Sequence, residues 1–391
     1  MMDFSAANKI LVTCAMGIVP FLQEELVRLG FPVRQVLKLG LFTWGTLNEA
    51  IALNLSLRTA NRVHFLLHEF RAADPDQLYQ QVVRLPWEDI IDAHGYLSVT
   101  SSVMNDTVSD SRFANLKCKD AIVDRIAAKK GRRPDSGPDH SKSAIYLYWQ
   151  DDQCAIYVDT TGESLSRRGY RKIPLRAPMQ EALAAAVLLA ADWRGDGHFV
   201  NPMCGSGTLG IEAALIALHK APGLLRHNFG FMHIKGYDKT AYADKRKSLR
   251  AEIRKKSDFD FILSDIDAAA IDGARQNART AGVDHLITFR RCDFRETPVP
   301  AGEGMVFVNP GYGIRLENER SLESVYRGLG DFFKQKCLGY KGYIFTGNLA
   351  LAKKVGLKTS RRLIFYNGSI ETRLLEYELY SGSRSKPHPV T

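Results

Sequence analysis

The sequence predicts an α/β protein whose larger part is a doubly wound, mostly parallel sheet of Rossmann-like type, preceded by two small α+β units. Three observations lead there. From Met179 onward, short apolar strands alternate with helical spacings, and such alternation builds a parallel sheet with helices on both faces. The first strand of that series runs into Asn201–Thr208 (NPMCGSGT), a glycine-bearing loop that opens an apolar helix. Before Met179 the strands and helices are short and mixed, and Gly17, Gly30 and Gly40 punctuate them.

Each element follows in order. Residues 9–14 are an apolar run ended by Gly17. Residues 18–29 have helical spacing (Phe21, Leu22, Leu26, Leu29) and stop at Gly30. Residues 33–37 and 41–46 read as short strands around Gly40, and Asn48 is expected to cap a helix over 49–57. This first unit is assigned to residues 1–62. The second, 63–158, has strands at 64–70 and 96–103 and a helix at 75–83. An amphipathic helix over 118–129 turns Ala121, Ile122, the stem of Arg125 and Ile126 inward. A hairpin of 144–149 with 154–159 turns on Asp151–Gln153. Residues 159–178 lack periodicity, carry Arg167, Arg168, Arg171, Lys172 and Arg176, and read as a linker. The last domain, 179–391, is expected to run helix 180–191, strand 198–200, helix 209–218, strand 261–263 and helix 268–281. Strands 287–290, 305–308 and 343–346 follow, then an antiparallel edge hairpin of 361–366 with 374–380 and a loose tail.

Composition sets the outer limits. A chain of 391 residues exceeds one ordinary core. No apolar run reaches the ~18 residues of a membrane span. The first residues lack the basic-then-apolar pattern of a secretory signal, so a cytoplasmic protein is expected. The six cysteines are scattered without a C-x-x-C pair, which disfavours a zinc site and a disulfide framework, and no metal is expected. The net charge of +10 favours an anionic partner, nucleic acid foremost.

In a doubly wound sheet, ligands sit beyond the carboxyl ends of the strands. Asn201, Pro202, Cys204, Gly205, Ser206, Gly207 and Thr208 are therefore candidate cofactor residues. The two glycines let backbone approach a ligand and adopt positive φ. The N–H groups of the helix that starts there favour a carboxylate or phosphate. The loop is neither a Walker A nor a G-x-G-x-x-G sequence, and taken alone it is also compatible with a plain glycine turn. At the second strand end, Asp265 is placed to hold a ribose diol, with Ile266 beside it, while Asp267 suits a helix cap. At the third, Asp293 is placed to accept from an adenine amino group. Phe294 is expected either to pack on the ring or to offer its main-chain N–H. Three such strand ends together point to a nucleoside-bearing cofactor.

The fourth strand ends in Asn309-Pro310-Gly311-Tyr312. This resembles the (Asn/Asp)-Pro-Pro-(Tyr/Phe) motif of methyltransferases that act on planar amino groups, with Gly311 replacing the second proline. The residue types suit the chemistry. An exocyclic amine delocalises its lone pair into the ring and is a weak nucleophile until made more tetrahedral. The Asn309 side-chain oxygen and the Pro310 carbonyl can each accept one N–H, and Tyr312 can stack on the base. A base must leave its helix or be single-stranded to reach such a pocket. Placement then does most of the catalysis, without a strong general base.

Further motifs extend the resemblance over nearly the whole chain. They are Gly162–Arg171 (GESLSRRGYR), Ala177-Pro178 with Glu181, Asn201–Thr208, Ser264–Asp267, Asn309–Leu316 and Tyr366-Asn367-Gly368. In this order the chain resembles THUMP-domain class I RNA methyltransferases, and among them the RlmL-type enzymes that make N2-methylguanine in large-subunit ribosomal RNA. The resemblance implies a ferredoxin-like domain over 1–62, a THUMP domain over 63–158 and a class I methyltransferase domain over 179–391. It also implies S-adenosyl-L-methionine as cofactor and structured RNA, 23S ribosomal RNA foremost, as partner. RNA contacts are expected from Lys129, Lys130, Arg132 and Arg133 after the THUMP helix, and from Arg167 and Arg168, although the linker arginines are equally suited to bracing domains. The basic stretch 245–256 turns Leu249 and Ile253 inward and reads as a solvated face. Three alternatives stay open: guanine-N2 methylation of tRNA, adenine-N6 methylation of DNA, and an RNA-binding assembly factor weakened by Gly311.

Overall fold

The computed structural model describes residues 3–108, 110–172, 179–311 and 319–380. The chain divides into two compact units, Met1–Gly169 with Ala221–Glu252 and Tyr170–Lys220 with Ile253–Thr391. Among the described residues no helix is long and apolar enough to cross a membrane.

The first unit begins β1 (Asn8–Thr13), α1 (Val19–Arg28), β2 (Gln35–Leu37), β3 (Gly40–Gly45), α2 (Leu47–Ser56) and β4 (Arg62–Arg71). It continues α3 (Pro75–Val82), β5 (Tyr96–Met104), α4 (Ser111–Lys130), β6 (Asp135–Ser136), β7 (Ser143–Gln150) and β8 (Gln153–Asp159). One eight-stranded sheet holds all of its strands, in the order β2-β3-β1-β4-β8-β7-β5-β6. The two small units of the sequence are thus joined at β4, which pairs antiparallel with β1 on one side and β8 on the other. The expected cap of α2 moves from Asn48 to Thr46. Thr46 and Glu49 form a capping box, the Glu49 N–H meeting Thr46 Oγ1 at 3.3 Å and the Thr46 N–H meeting Glu49 Oε2 at 2.7 Å. Helix α4 starts a full two turns before the expected Cys118, because Asp110 caps it through the Arg112 N–H (2.9 Å) and Ala114 already faces the core.

His64 in β4 is fully buried and stacks on Tyr146 with ring centroids 4.5 Å apart. Burial pulls its pKa down from 6.5 to about 4, Arg62 adding to this and Asp159 opposing it. Between those two values the unfolded chain binds the proton and the folded one does not, so stability falls as pH drops through this window. The expected loss from pH 7 to about pH 5 is ~2 kcal/mol. Urea midpoints at the two pH values measure it: His64→Phe should show a smaller loss than the wild type, and equal losses would refute the assignment.

The second unit contains α5 (Glu181–Ala190), β9 (His198–Pro202), α6 (Thr208–Ala217), β10 (Phe261–Asp265), α8 (Ala268–Ala281), β11 (Ile287–Arg291) and β12 (Gly304–Val308). It ends with α9 (Glu319–Lys336), β13 (Tyr340–Thr346), α10 (Leu349–Ala352), β14 (Arg361–Asn367) and β15 (Ile370–Glu378). The sheet order is β11-β10-β9-β12-β13-β15-β14. Its first five strands run parallel, and the expected hairpin β14–β15 closes one edge antiparallel. Helix α9 was not anticipated. Tyr326, Leu329, Phe332 and Phe333 on it are buried against Val306, Val308, Ile344 and Leu375, a spacing of three and four that marks a helix face.

Between α6 and β10 lies α7 (Lys239–Ala251) with the turns that precede it. This stretch interrupts the domain expected to run from 179 and groups with the first unit. Its anchor there is Arg226, whose guanidinium donates to the carbonyls of Ser164 (2.9 Å), Thr161 and Asn228 (both 3.3 Å) and lies 4.7 Å from the Phe229 ring centroid. Nearby, a Cβ on Gly230 would stand 2.3 Å from the Asp159 carbonyl oxygen, so only glycine permits that approach.

Candidate active site

The candidate segments emerge where parallel strands stop. β10 and β12 flank β9, and β11 lies beyond β10. The chain winds outward through β10 and β11, then returns to the other side of β9 with β12. Such a reversal opens a crevice at the carboxyl ends of the strands. Asn201–Thr208, Asp265, Asp293 and Asn309 all follow those ends.

The glycine loop is bound to β10. The Cys204 N–H donates to the Ser264 carbonyl and the Gly205 N–H to Asp265 Oδ2, both at 2.9 Å. Met203, Gly205 and Gly207 all have positive φ, at 56°, 55° and 80°. At Gly207 a Cβ would stand 2.9 Å from Ala274 Cβ, so packing of α6 against α8 excludes a side chain. At Gly205 nothing lies within 4 Å of that position, which leaves room for a ligand against the backbone. Helix α6 begins at Thr208 without a side-chain cap, so its first N–H groups have no side-chain acceptor. Burial, then the Asp265 carboxylate, push the Cys204 thiol up and keep it protonated, unlike an activated nucleophile.

Asp265 is held by two amides, its Oδ1 accepting from the Asp267 N–H at 3.1 Å. Carboxylate oxygens each carry a second acceptor site. Ile266 is 68% exposed beside it. Asp267 caps α8 through the Ala269 N–H at 2.9 Å. Asp293 accepts from the Arg295 N–H (2.9 Å) and pairs with its guanidinium (3.0 and 3.2 Å). The Phe294 ring corrects one expectation: it is buried in the core, edge-on to Phe332, and is spent there rather than on a ligand. Only its main-chain N–H remains of the two roles foreseen.

Asn201 links the cofactor side to the β12 side. It is 1% exposed, and its Nδ2 donates to the Phe307 carbonyl at 2.7 Å. Its Oδ1 and that of Asn309 are buried without a partner among the described residues. Pro310 is buried and Gly311 exposed, with open space where a Cβ would stand. Tyr312 lies outside the described residues.

The sequence reading missed the residues that hold the loop from behind. Arg171 donates to the Met179 carbonyl (2.7 Å) and Thr208 Oγ1 (3.1 Å), and sits 3.4 Å from Glu181. Asn277, fully buried, donates to the Ser206 carbonyl (3.1 Å) and accepts from the Lys172 N–H (2.9 Å). The signal for Arg171 was present in GESLSRRGYR but was read as linker charge.

Among the expected RNA contacts, Lys129, Lys130 and Arg132 are exposed at the end of α4. Arg133 is exposed too, and pairs with Asp124 at 3.2 Å and Asp120 at 3.7 Å. Arg167 is exposed and pairs with Glu163. Arg168 is a correction. It is 1% exposed and its guanidinium donates to the carbonyls of Leu165 and Arg58, so it braces the first unit and cannot reach a phosphate. Arg168→Ala should therefore lower thermal stability by ~3 kcal/mol and leave RNA affinity of the folded protein unchanged. A selective loss of RNA affinity would reverse this assignment.

Comparison with known proteins agrees with this layout. Residues 9–64 match the RlmL ferredoxin-like domain, 72–159 the THUMP domain and 168–376 the RMKL-like methyltransferase domain. Ribosomal RNA large subunit methyltransferase K/L of Syntrophotalea carbinolica is 39% identical over 96% of this chain and 54% of that protein. The Allochromatium vinosum protein of the same name is 35% identical over 92% and 50%. The chain thus spans about half the length of these curated relatives. A candidate RNA methyltransferase of Synechocystis sp. is 31% identical over 96% of this chain and 98% of its own length. Among solved structures, SMU.472, a candidate methyltransferase bound to SAH, superposes with a TM-score of 0.85 and 28% identity over 97% of this chain and 99% of that one. With the domain match over more than half its length, and with its glycine loop and strand-end residues on one edge of the sheet, the chain belongs to the RMKL-like methyltransferase family, carrying the RlmL ferredoxin-like and THUMP domains ahead of it.

Proposed function

We propose that the protein transfers a methyl group from S-adenosyl-L-methionine to the exocyclic N2 of a guanine in structured RNA, the 23S ribosomal RNA foremost. One observation supports an exocyclic amine as the acceptor, and the resemblance to RlmL-type enzymes supports guanine N2 among such amines. Asn309 Oδ1 is a buried acceptor without a partner among the described residues, and a group left so is costly unless a ligand satisfies it. An amine N–H is such a ligand. The Pro310 carbonyl is positioned by sequence to take the second N–H, which turns the lone pair out of the ring plane. After transfer the extra proton leaves the nitrogen to water, so no strong base is required.

The crevice fits the cofactor. Gly205 leaves open space, the first N–H groups of α6 suit its carboxylate, and Asp265 retains acceptor sites for the ribose hydroxyls. Asp293 and the Phe294 N–H are assigned to the adenine edge. When bound, S-adenosyl-L-methionine supplies an electrophilic methyl group on a sulfonium. The residues of the chain orient, desolvate and hold; the names of the RNA methyltransferase relatives support the class of substrate. The exposed cations Lys129, Lys130, Arg132 and Arg167 are assigned to RNA phosphates.

The test is direct. The protein is incubated with labelled cofactor and with deproteinised ribosomal RNA, tRNA and DNA from a strain lacking it. Digestion should return the label as N2-methylguanine from large-subunit RNA. Label in N6-methyladenine, or none in any nucleic acid despite cofactor binding, would overturn the reading.

A further inference from the structure

The sheet of the first unit packs its main core on one face and carries a smaller apolar cluster on the other. Ile10, Val12, Val63, Ile145, Leu147 and Ile156 alternate onto the core face and are fully buried. The opposite face carries aromatic rings. Trp44 pairs with Lys9 across β3 and β1, Leu66 with Tyr157 across β4 and β8, and Tyr157 with Tyr146 across β8 and β7. Four strand spacings therefore separate Trp44 from Tyr146, a span of about 19 Å. Phe42 and Tyr148 lie on the same face, two residues along the strand from Trp44 and Tyr146. Trp44 is 39% exposed, while Phe42, Tyr146 and Tyr148 are half-buried.

We propose that this face is a stacking platform for unpaired bases of a single-stranded RNA segment. The inference rests on RNA being the substrate class, and not on which atom is methylated. Between the two aromatic stations the floor is closed: Leu11, Leu66 and Tyr157 are 5%, 5% and 2% exposed. A protein partner's anchor residue needs a pocket to fill, and these floor residues are packed together in one cluster. The exposed parts of the Trp44, Phe42, Tyr146 and Tyr148 rings remain, and ring surface accepts bases of any identity. The charge agrees. Two carboxylates beside these rings are already neutralised, Glu69 by Lys9 and Asp159 by Arg62. Lys9 also lies over the rings of Phe42 (5.4 Å) and Trp44 (5.8 Å). At the β2–β3 rim, Arg34 and Lys38 are exposed without an acidic partner among the described residues, available for phosphates. Duplex RNA keeps its bases stacked internally and has none to offer such a surface.

Trp44 is a built-in reporter, because Trp87 and Trp149 are fully buried and Trp193 is 1% exposed. The full chain is titrated with a mixed-sequence single-stranded RNA of about 12 nucleotides while tryptophan emission is followed. Saturable quenching is expected, and it should vanish in Trp44→Leu. Tyr148→Ala should weaken single-strand binding about tenfold and leave binding of the corresponding duplex unchanged. If Tyr148→Ala fails to fold, Trp44→Leu carries the same affinity test. Unchanged emission at saturation, or equal weakening for single strand and duplex, would overturn the proposal. So would emission that shifts with protein concentration alone together with a dimer in sedimentation, which would give the face to a second copy. No cofactor is needed, so failure here is separable from failure of the guanine-N2 reading.

Discussion

Asn309→Ala is expected to lower methyl transfer to RNA by about 10²–10³-fold, the effect of removing one preorganised partner of the reacting group. The affinity for S-adenosyl-L-methionine should stay within about threefold of the wild type, because the ribose and adenine are assigned to other strand ends. The two readouts separate because of where the atom sits. Asn309 follows β12, whereas the glycine loop follows β9 and Asp265 ends β10. The Asn309 Oδ1 has no partner to lose among the described residues. Its removal takes away an acceptor that has no partner among the described residues, so thermal stability should change by no more than ~1 kcal/mol. Asn309→Asp keeps an acceptor and should retain more activity than alanine. Single-turnover rates and calorimetric cofactor binding on the same preparations test this. Parallel loss of rate and cofactor affinity would remove Asn309 from the role of amine acceptor.

The same contrast shows what a sequence can carry. Strand ends in a parallel sheet are marked by short apolar runs that stop at polar or glycine residues, so Asn201–Thr208, Asp265 and Asn309 were legible as a set. Their common edge follows from right-handed crossovers. The Phe294 ring was misjudged because an aromatic after a strand end looks alike whether it turns to a ligand or to a later helix. That later helix, α9, was not recognised, and Phe332 on it is what takes the ring. At Arg168 the sequence left RNA contact and bracing equally open for a related reason. Its charge is visible in the sequence, but the carbonyls that claim it belong in part to Arg58, more than a hundred residues earlier. The grouping of Ala221–Glu252 with the first unit depends on Arg226 and on the Gly230 approach. Both are long-range contacts that no local periodicity reports. Position in the chain suggested a single uninterrupted last domain, and the methyltransferase match does run unbroken over 168–376, while packing groups Ala221–Glu252 with the first unit.

Asp265→Ala is expected to weaken S-adenosyl-L-methionine binding by about 10²-fold, or ~3 kcal/mol, the worth of one or two hydrogen bonds to a charged acceptor. Two contributions meet in this residue. The carboxylate is assigned to the ribose hydroxyls, and it also holds the loop through the N–H groups of Gly205 and Asp267. Alanine removes both. Asp265→Asn keeps one carbonyl for one of those amides and turns an NH2 toward the other, so it should fall between alanine and wild type. Melting of the cofactor-free protein isolates the tether, since no ribose is present to lose. Calorimetric titration reads both effects together. If the tether dominates, the cofactor-free melting temperature falls while a cofactor analogue lacking the 2′- and 3′-hydroxyls loses as much affinity as the complete cofactor. If the ribose contacts dominate, that analogue binds wild type and Asp265→Ala almost equally, and only the complete cofactor discriminates between them. An unchanged affinity for the complete cofactor would remove Asp265 from the ribose site and leave it a strut beneath Gly205.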